Sequence, residues 1–103
     1  MVLVLILSST PASAQFVSLV GGPPPVQDFN TLAASGSSST LPNGWYLAET
    51  DDNANSEYRA GDGSSNTGDT YSFGAGTDSE RAFGTLQSSS LVSRIGAQLR
   101  NDS

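Results

Sequence analysis

Asp62, Asn66 and Asp69 stand within one glycine-rich stretch, AGDGSSNTGDTYSFGAG, that runs from Ala60 to Gly76. Their side-chain oxygens are the ligand type that calcium takes, a hard cation wanting six to eight oxygens. The same stretch also reads as a glycine-permitted turn that delivers Tyr71 and Phe73 to one face of a strand, and we take this as its chief role with calcium as the alternative. Asp51, Asn53 and Asn55 imitate the first three positions of an EF-hand loop. That match fails, because Ser56 occupies the place of the sharp-turn glycine and Asp62 the place of the closing glutamate. Both acidic stretches are expected to be hairpin loops. Two carboxylate pairs, Glu49 with Asp51 and Asp78 with Glu80, lie too close along the chain to face each other across a cleft, as general acid–base work requires. Gly61, Gly63 and Gly68 do not reproduce G-x-G-x-x-G, and no G-x-S-x-G motif is present.

Composition excludes further chemistry. The 103 residues contain no histidine and no cysteine. Imidazole bases, thiol nucleophiles, disulfides and zinc-finger spacings are thereby ruled out within this chain. The net charge is -6, and the four basic residues (Arg59, Arg81, Arg94 and Arg100) are scattered. A nucleic-acid surface needs a basic stripe, so none is expected. Arg81, beside Glu80 at a strand start, reads as a rim ion pair.

The elements that would position these groups are short strands. Met1 to Leu7 (MVLVLIL) is an unbroken apolar run, and Ala12-Ser13-Ala14 follows the small-x-small rule for signal peptidase. We expect residues 1–14 to be a signal peptide cleaved before Gln15, although no basic residue precedes the run. The run falls far short of the roughly 18 residues that span a bilayer, so no transmembrane span is expected. Of the 89 residues that follow, Leu, Ile, Val and Phe supply 16. That lies just under the ~20% below which a chain begins to lack a core, and it suggests part of a larger domain. Residues 15–40 form a Pro/Gly/Ser-rich entry segment. It holds two short extended candidates, QFVSLV and VQDFNTL, and a flexible AASGSSST. Residues 41–103 form the first part of a β-sandwich. Leu41-Pro42-Asn43-Gly44 is a turn with a mechanism, since proline presets φ and Asn-Gly tolerates the left-handed region. Strands are expected at Trp45–Thr50, Glu57–Ala60, Asp69–Phe73, Glu80–Leu86 and Ser93–Asn101. In the last of these, Ile95, Ala97 and Leu99 point inward. Gly84 marks a bulge or a close backbone approach. No 3.6-residue period lasts three turns, so the class is all-β: a partial antiparallel sandwich, left incomplete at its C-terminal strand. The aromatics Trp45, Tyr46, Tyr58, Tyr71 and Phe73 read as core, Trp45 and Phe73 most strongly. Exposed, they would instead stack on sugar rings.

Three strings carry a resemblance: Leu41-Pro-Asn-Gly-Trp45, Gly68-Asp-Thr-Tyr-Ser-Phe-Gly74 and Glu80-Arg-Ala-Phe-Gly-Thr-Leu-Gln87. From about Asp28 to Asp102 the chain resembles an N-terminal module of large bacterial secreted and surface proteins, of extracellular endonuclease type or with a C-terminal sorting anchor. The resemblance implies a lectin-like or jelly-roll sandwich, truncated before a Tyr-x-Gly-Glu-x-Trp-Arg segment that this chain lacks. It transfers no catalytic residue. The expected function is therefore a non-catalytic extracellular module, secreted or at the cell surface. Its partners would be a carbohydrate or cell-surface component and the remainder of the parent protein. The alternative is the accessory head of a secreted nuclease-type hydrolase whose catalytic domain lies elsewhere.

Overall fold

A computed structural model describes residues 15–103, and the expected signal peptide lies outside the described residues. Eight strands follow in chain order: β1 (Val17–Leu19), β2 (Ser37–Ser38), β3 (Trp45–Thr50), β4 (Tyr58–Gly61), β5 (Asp69–Phe73), β6 (Ala82–Leu86), β7 (Val92–Ala97) and β8 (Leu99–Asn101). There is no helix among the described residues, and the protein is all-β. One layer is a four-stranded sheet of order β2-β4-β5-β6. A two-stranded antiparallel ribbon, β3-β7, lies against it in register from Trp45↔Ala97 to Thr50↔Val92. β1 pairs with β8 in parallel. Together they make a partial β-sandwich with mostly antiparallel pairing.

Alternation puts Trp45, Leu47 and Glu49 of β3 on one face of the ribbon, opposite Ala97, Ile95 and Ser93 of β7. An aromatic chain links the layers at one end of that face. Trp45 meets Phe29 edge-on at 4.7 Å, Phe29 meets Phe83 of β6 at 5.6 Å, and Phe83 meets Tyr58 of β4 at 6.2 Å. At the Glu49–Ser93 end the ribbon meets Thr70 of β5 through polar groups instead.

Several expected elements take a different form. VQDFNTL is a turn, not a strand: the Gln27 and Asp28 side chains accept hydrogen bonds from the Phe29 and Asn30 N–H groups, and Phe29 has φ 61°. Those local bonds outcompete a ladder. Within AASGSSST, Ser37–Ser38 pair with Arg59 and Tyr58, and Leu32 just before it is buried. Neither acidic stretch is a hairpin loop. β4 and β5 are parallel neighbours, so Asp62–Gly68 must run back across the sheet; β3 and β4 belong to different layers, so Asp51–Glu57 crosses between them. Ile95 and Leu99, expected inward, are 37% and 60% exposed. At the Trp45 end the contact with the four-stranded sheet runs through Phe29 rather than through these residues. The most buried aromatics are Tyr58 and Tyr71 rather than Trp45 and Phe73.

The LPNG turn forms as its chemistry dictates: Trp45 N–H donates to Pro42 O at 3.0 Å and Gly44 takes φ 84°. Gly84 serves a close approach without a bulge, since a Cβ there would stand 2.9 Å from the Phe73 ring.

Candidate functional site

The structure sends the three expected calcium ligands into separate networks. Asp62 is exposed, and its Oδ1 accepts hydrogen bonds from the Ser64 hydroxyl and the Ser64 N–H. Those bonds, hydroxyl first, hold its carboxyl below the usual aspartate range. Asn66 is exposed in the same loop. Asp69 is buried, with Oδ1 taking the Thr70 N–H at 2.8 Å and Oδ2 lying 3.3 Å from Arg59. Among the described residues no three Asp or Glu side chains gather as a metal site would. The loop serves the core instead. Thr67 O accepts the Tyr71 hydroxyl at 2.7 Å, which caps the buried ring from above.

Asp69 meets Glu49, twenty residues earlier in the chain. One N–H, that of Thr70, is shared between Asp69 Oδ1 and Glu49 Oε2, at 2.8 and 3.1 Å. Glu49 Oε2 also accepts the Thr70 hydroxyl at 2.7 Å, and that hydroxyl contacts the buried Ser93 of β7. Glu49 Oε1 accepts the Asn55 N–H from the interlayer crossing. Burial and the neighbouring Glu49 push Asp69 up, against the pull of the Thr70 N–H and Arg59. Burial pushes Glu49 up too, but donors from Thr70, Asn55 and Asp69 outweigh it and bring Glu49 down. Asp69 is thus the weaker acid of the two. Two carboxyls with separated affinities can in principle divide acid and base roles. Here their oxygens are held by Thr70, Asn55 and Arg59, and neither lines the apolar groove beside Trp45. The pair joins the layers.

Arg81 is 4% exposed, not a rim group. Its Nε donates to Ser72 Oγ and its Nη2 to Ser72 O; Nη1 donates to the carbonyls of Gly76 and Asp78. Among the described residues no carboxylate pairs with it. Carbonyl dipoles solvate the guanidinium and gather the β5–β6 loop around it.

An apolar groove of about 610 Å³ lies beside Trp45. Phe16, Leu19, Pro24, Pro25, Trp45 and Leu99 form its walls, with Ser18, Gln27 and Asn43 at its polar points. The LPNG turn places Trp45 there, and β1 lays Phe16 and Leu19 alongside it. Gly44 makes the fit, because a Cβ on it would stand 2.5 Å from Val17 N. Asn43 Nδ2 donates to Phe16 O at 2.8 Å, and the Tyr46 hydroxyl to Gln15 O at 2.6 Å. Arg100 caps the Phe16 ring at 3.7 Å. No family model, curated protein or solved structure matches this chain.

The sequence offers Trp45 as a sugar-stacking residue but gives no sign of its partners Phe16 and the prolines, which lie some twenty to thirty residues away. The Glu49–Asp69 contact is also missed by sequence reasoning. The available signal is Glu49's own place on the inward face of β3, an acid where an apolar residue belongs.

Proposed function

We propose that this chain is a non-catalytic extracellular β-sandwich module of a larger secreted or surface-anchored bacterial protein, and that the groove beside Trp45 is its ligand face. The observation that carries the reading is the groove itself, with an indole and a phenyl ring and an apolar wall set among a few polar points. This is the composition of a site for a carbohydrate, whose ring faces are apolar and whose edges need hydrogen bonds. Other features support it. The signal-peptide pattern before Gln15 fits export. The three strings quoted above resemble modules of bacterial surface proteins. The apolar side chains of Val26, Val20 and Leu99, all more than half exposed, suit contact with further protein. The arginines do not offer a phosphate-binding stripe: Arg81 is buried, and Arg59 and Arg100 are paired with Asp69 and Asp102.

Trp45 is the chain's one tryptophan, so its fluorescence reports on the groove directly. Titration with soluble bacterial polysaccharides should give a saturable change in emission, which Phe16→Ala weakens. A flat response across neutral and acidic polysaccharides alike would refute the ligand face.

A further inference from the structure

We propose that Gln15 is a modification site: once exposed as the N-terminal residue, it closes on itself to pyroglutamate. The proposal rests on the export reading above, in which Ala12-Ser13-Ala14 directs cleavage of the Ala14–Gln15 bond.

The chemistry is an intramolecular aminolysis. The freed α-amine of Gln15 attacks the side-chain amide carbon Cδ. A new N–Cδ bond forms, the Cδ–Nε2 bond breaks, and Nε2 leaves as ammonia with a proton from the attacking amine. No oxidant or cofactor takes part. The five-membered lactam consists of N, Cα, Cβ, Cγ and Cδ. Nothing outside residue 15 needs to move, provided those atoms are free.

Among the described residues nothing hydrogen-bonds those atoms, and the ones that follow are anchored. Gln15 is exposed. Among the described residues no hydrogen bond engages its side-chain amide, whereas its carbonyl accepts the Tyr46 hydroxyl at 2.6 Å. Phe16 O is held by Asn43 Nδ2 at 2.8 Å, and Val17 N–H donates to Gln98 O at 2.7 Å. Anchoring thus begins at the carbonyl of Gln15, and the ring needs only atoms on the other side of it. Cyclisation is compatible with the folded state, with β1 seated and Trp45's groove intact.

The product differs in one electrostatic respect. A free α-amine titrates near pH 8 and is largely cationic at neutral pH, whereas a lactam is neutral. Gln15 adjoins Phe16, whose ring already carries the Arg100 guanidinium at 3.7 Å. Closure removes a second positive charge from beside that stack and blocks the end to aminopeptidases.

The test is made on the full 103-residue chain, expressed with its leader in an export-competent bacterium and recovered from the periplasm or medium. We expect an N-terminal peptide that starts at residue 15, is lighter by one ammonia than its glutamine form, and yields to sequential degradation only after pyroglutamyl aminopeptidase. The variant Gln15→Ser, which keeps a small residue after the cleavage site, should be cut at the same bond and carry a free amine with no mass loss. Mature wild-type protein that starts at Gln15 and keeps its free amine through prolonged incubation at neutral pH would overturn the modification and leave the export reading standing. A chain cut at another bond would overturn the modification alone, and one that stays in the cytoplasm with residues 1–14 attached would overturn both.

Discussion

At the scale of single residues, the polar groups between the layers govern how stability responds to pH. Asp69 lies above its ordinary value in the fold, because burial and Glu49 disfavour its charge. The folded state therefore holds that proton more tightly than the unfolded chain. This contribution favours folding at low pH and fades as pH rises from the ordinary aspartate value through the raised one. Glu49 and Asp102 are displaced the other way, Asp102 by the Ser18 hydroxyl and then Arg100. Their contributions are present above the ordinary carboxyl values and are lost as pH falls through the depressed ones. Asp69→Asn removes the first contribution and leaves the other two. The difference in melting temperature, variant minus wild type, should thus climb as pH is raised from about 3 to 7 on the ordinary carboxyl scale; a falling difference would contradict the upward displacement of Asp69. The calcium alternative is tested at the same residues. With Asp62 turned to Ser64 and Asp69 to Arg59, we expect coincident melting curves in millimolar calcium and in chelator. A rise in calcium that Asp69→Ala abolishes would establish the site instead. Arg81 provides a third test. Arg81→Met keeps the length of the side chain but strands the carbonyls of Ser72, Gly76 and Asp78, and should cost about 3 kcal/mol in urea denaturation. A cost below about 0.5 kcal/mol, the ordinary range for exposed substitutions, would mean the group is not buried as described.

At the scale of elements, the sequence is legible where local chemistry decides and opaque where distant chain segments do. Alternation locates β3, β5, β6 and β7, and Pro42-Asn43-Gly44 locates the turn that sets Trp45. Tyr71 and Phe73 share a face as expected and stack at 4.9 Å. The pairing of β4 with β5 in parallel is not legible. A connection of seven residues between parallel neighbours is shorter than the crossovers such pairs usually use, and this one succeeds by crossing over Tyr71. The sequence understates Tyr58 and Tyr71 as core because a phenol needs partners, and those partners are remote: Ala33 N–H and Thr40 O for Tyr58, Thr67 O for Tyr71. Arg81 reads as a rim group for the same reason, since nothing beside it in sequence announces the carbonyls that solvate it. The docking of β1 gives a prediction at this scale. Gly44→Ala introduces a Cβ within 2.5 Å of Val17 N at φ 84°. It should cost about 1–3 kcal/mol for the backbone conformation and speed hydrogen exchange of the Val17 and Asp102 amides, which bridge β1 to the Gln98–Asp102 segment. Unchanged exchange at both amides would show that β1 does not depend on that contact.

At the scale of the whole molecule, apolar and polar material are divided in an unusual way. The interlayer contact uses Glu49, Thr70 and Ser93 at one end and an aromatic chain at the other, while aliphatic side chains such as Val20, Val26 and Leu99 face outward. A chain lean in Leu, Ile and Val can hold two layers together this way only by satisfying each buried polar group, and among the described residues every buried side-chain donor and acceptor has a partner. Of the outward-facing aliphatic residues, Val26 and Leu99 line the groove beside Trp45, so the groove is where binding is expected. The most direct test is to follow backbone amide shifts of the isotope-labelled chain during titration with a soluble cell-envelope polysaccharide. Saturable shifts confined to Phe16–Leu19, Asn43–Trp45 and the neighbourhood of Leu99 are expected for a ligand in the groove; shifts centred on Asp62–Asp69, or none at saturating polysaccharide, would overturn the groove as the ligand face.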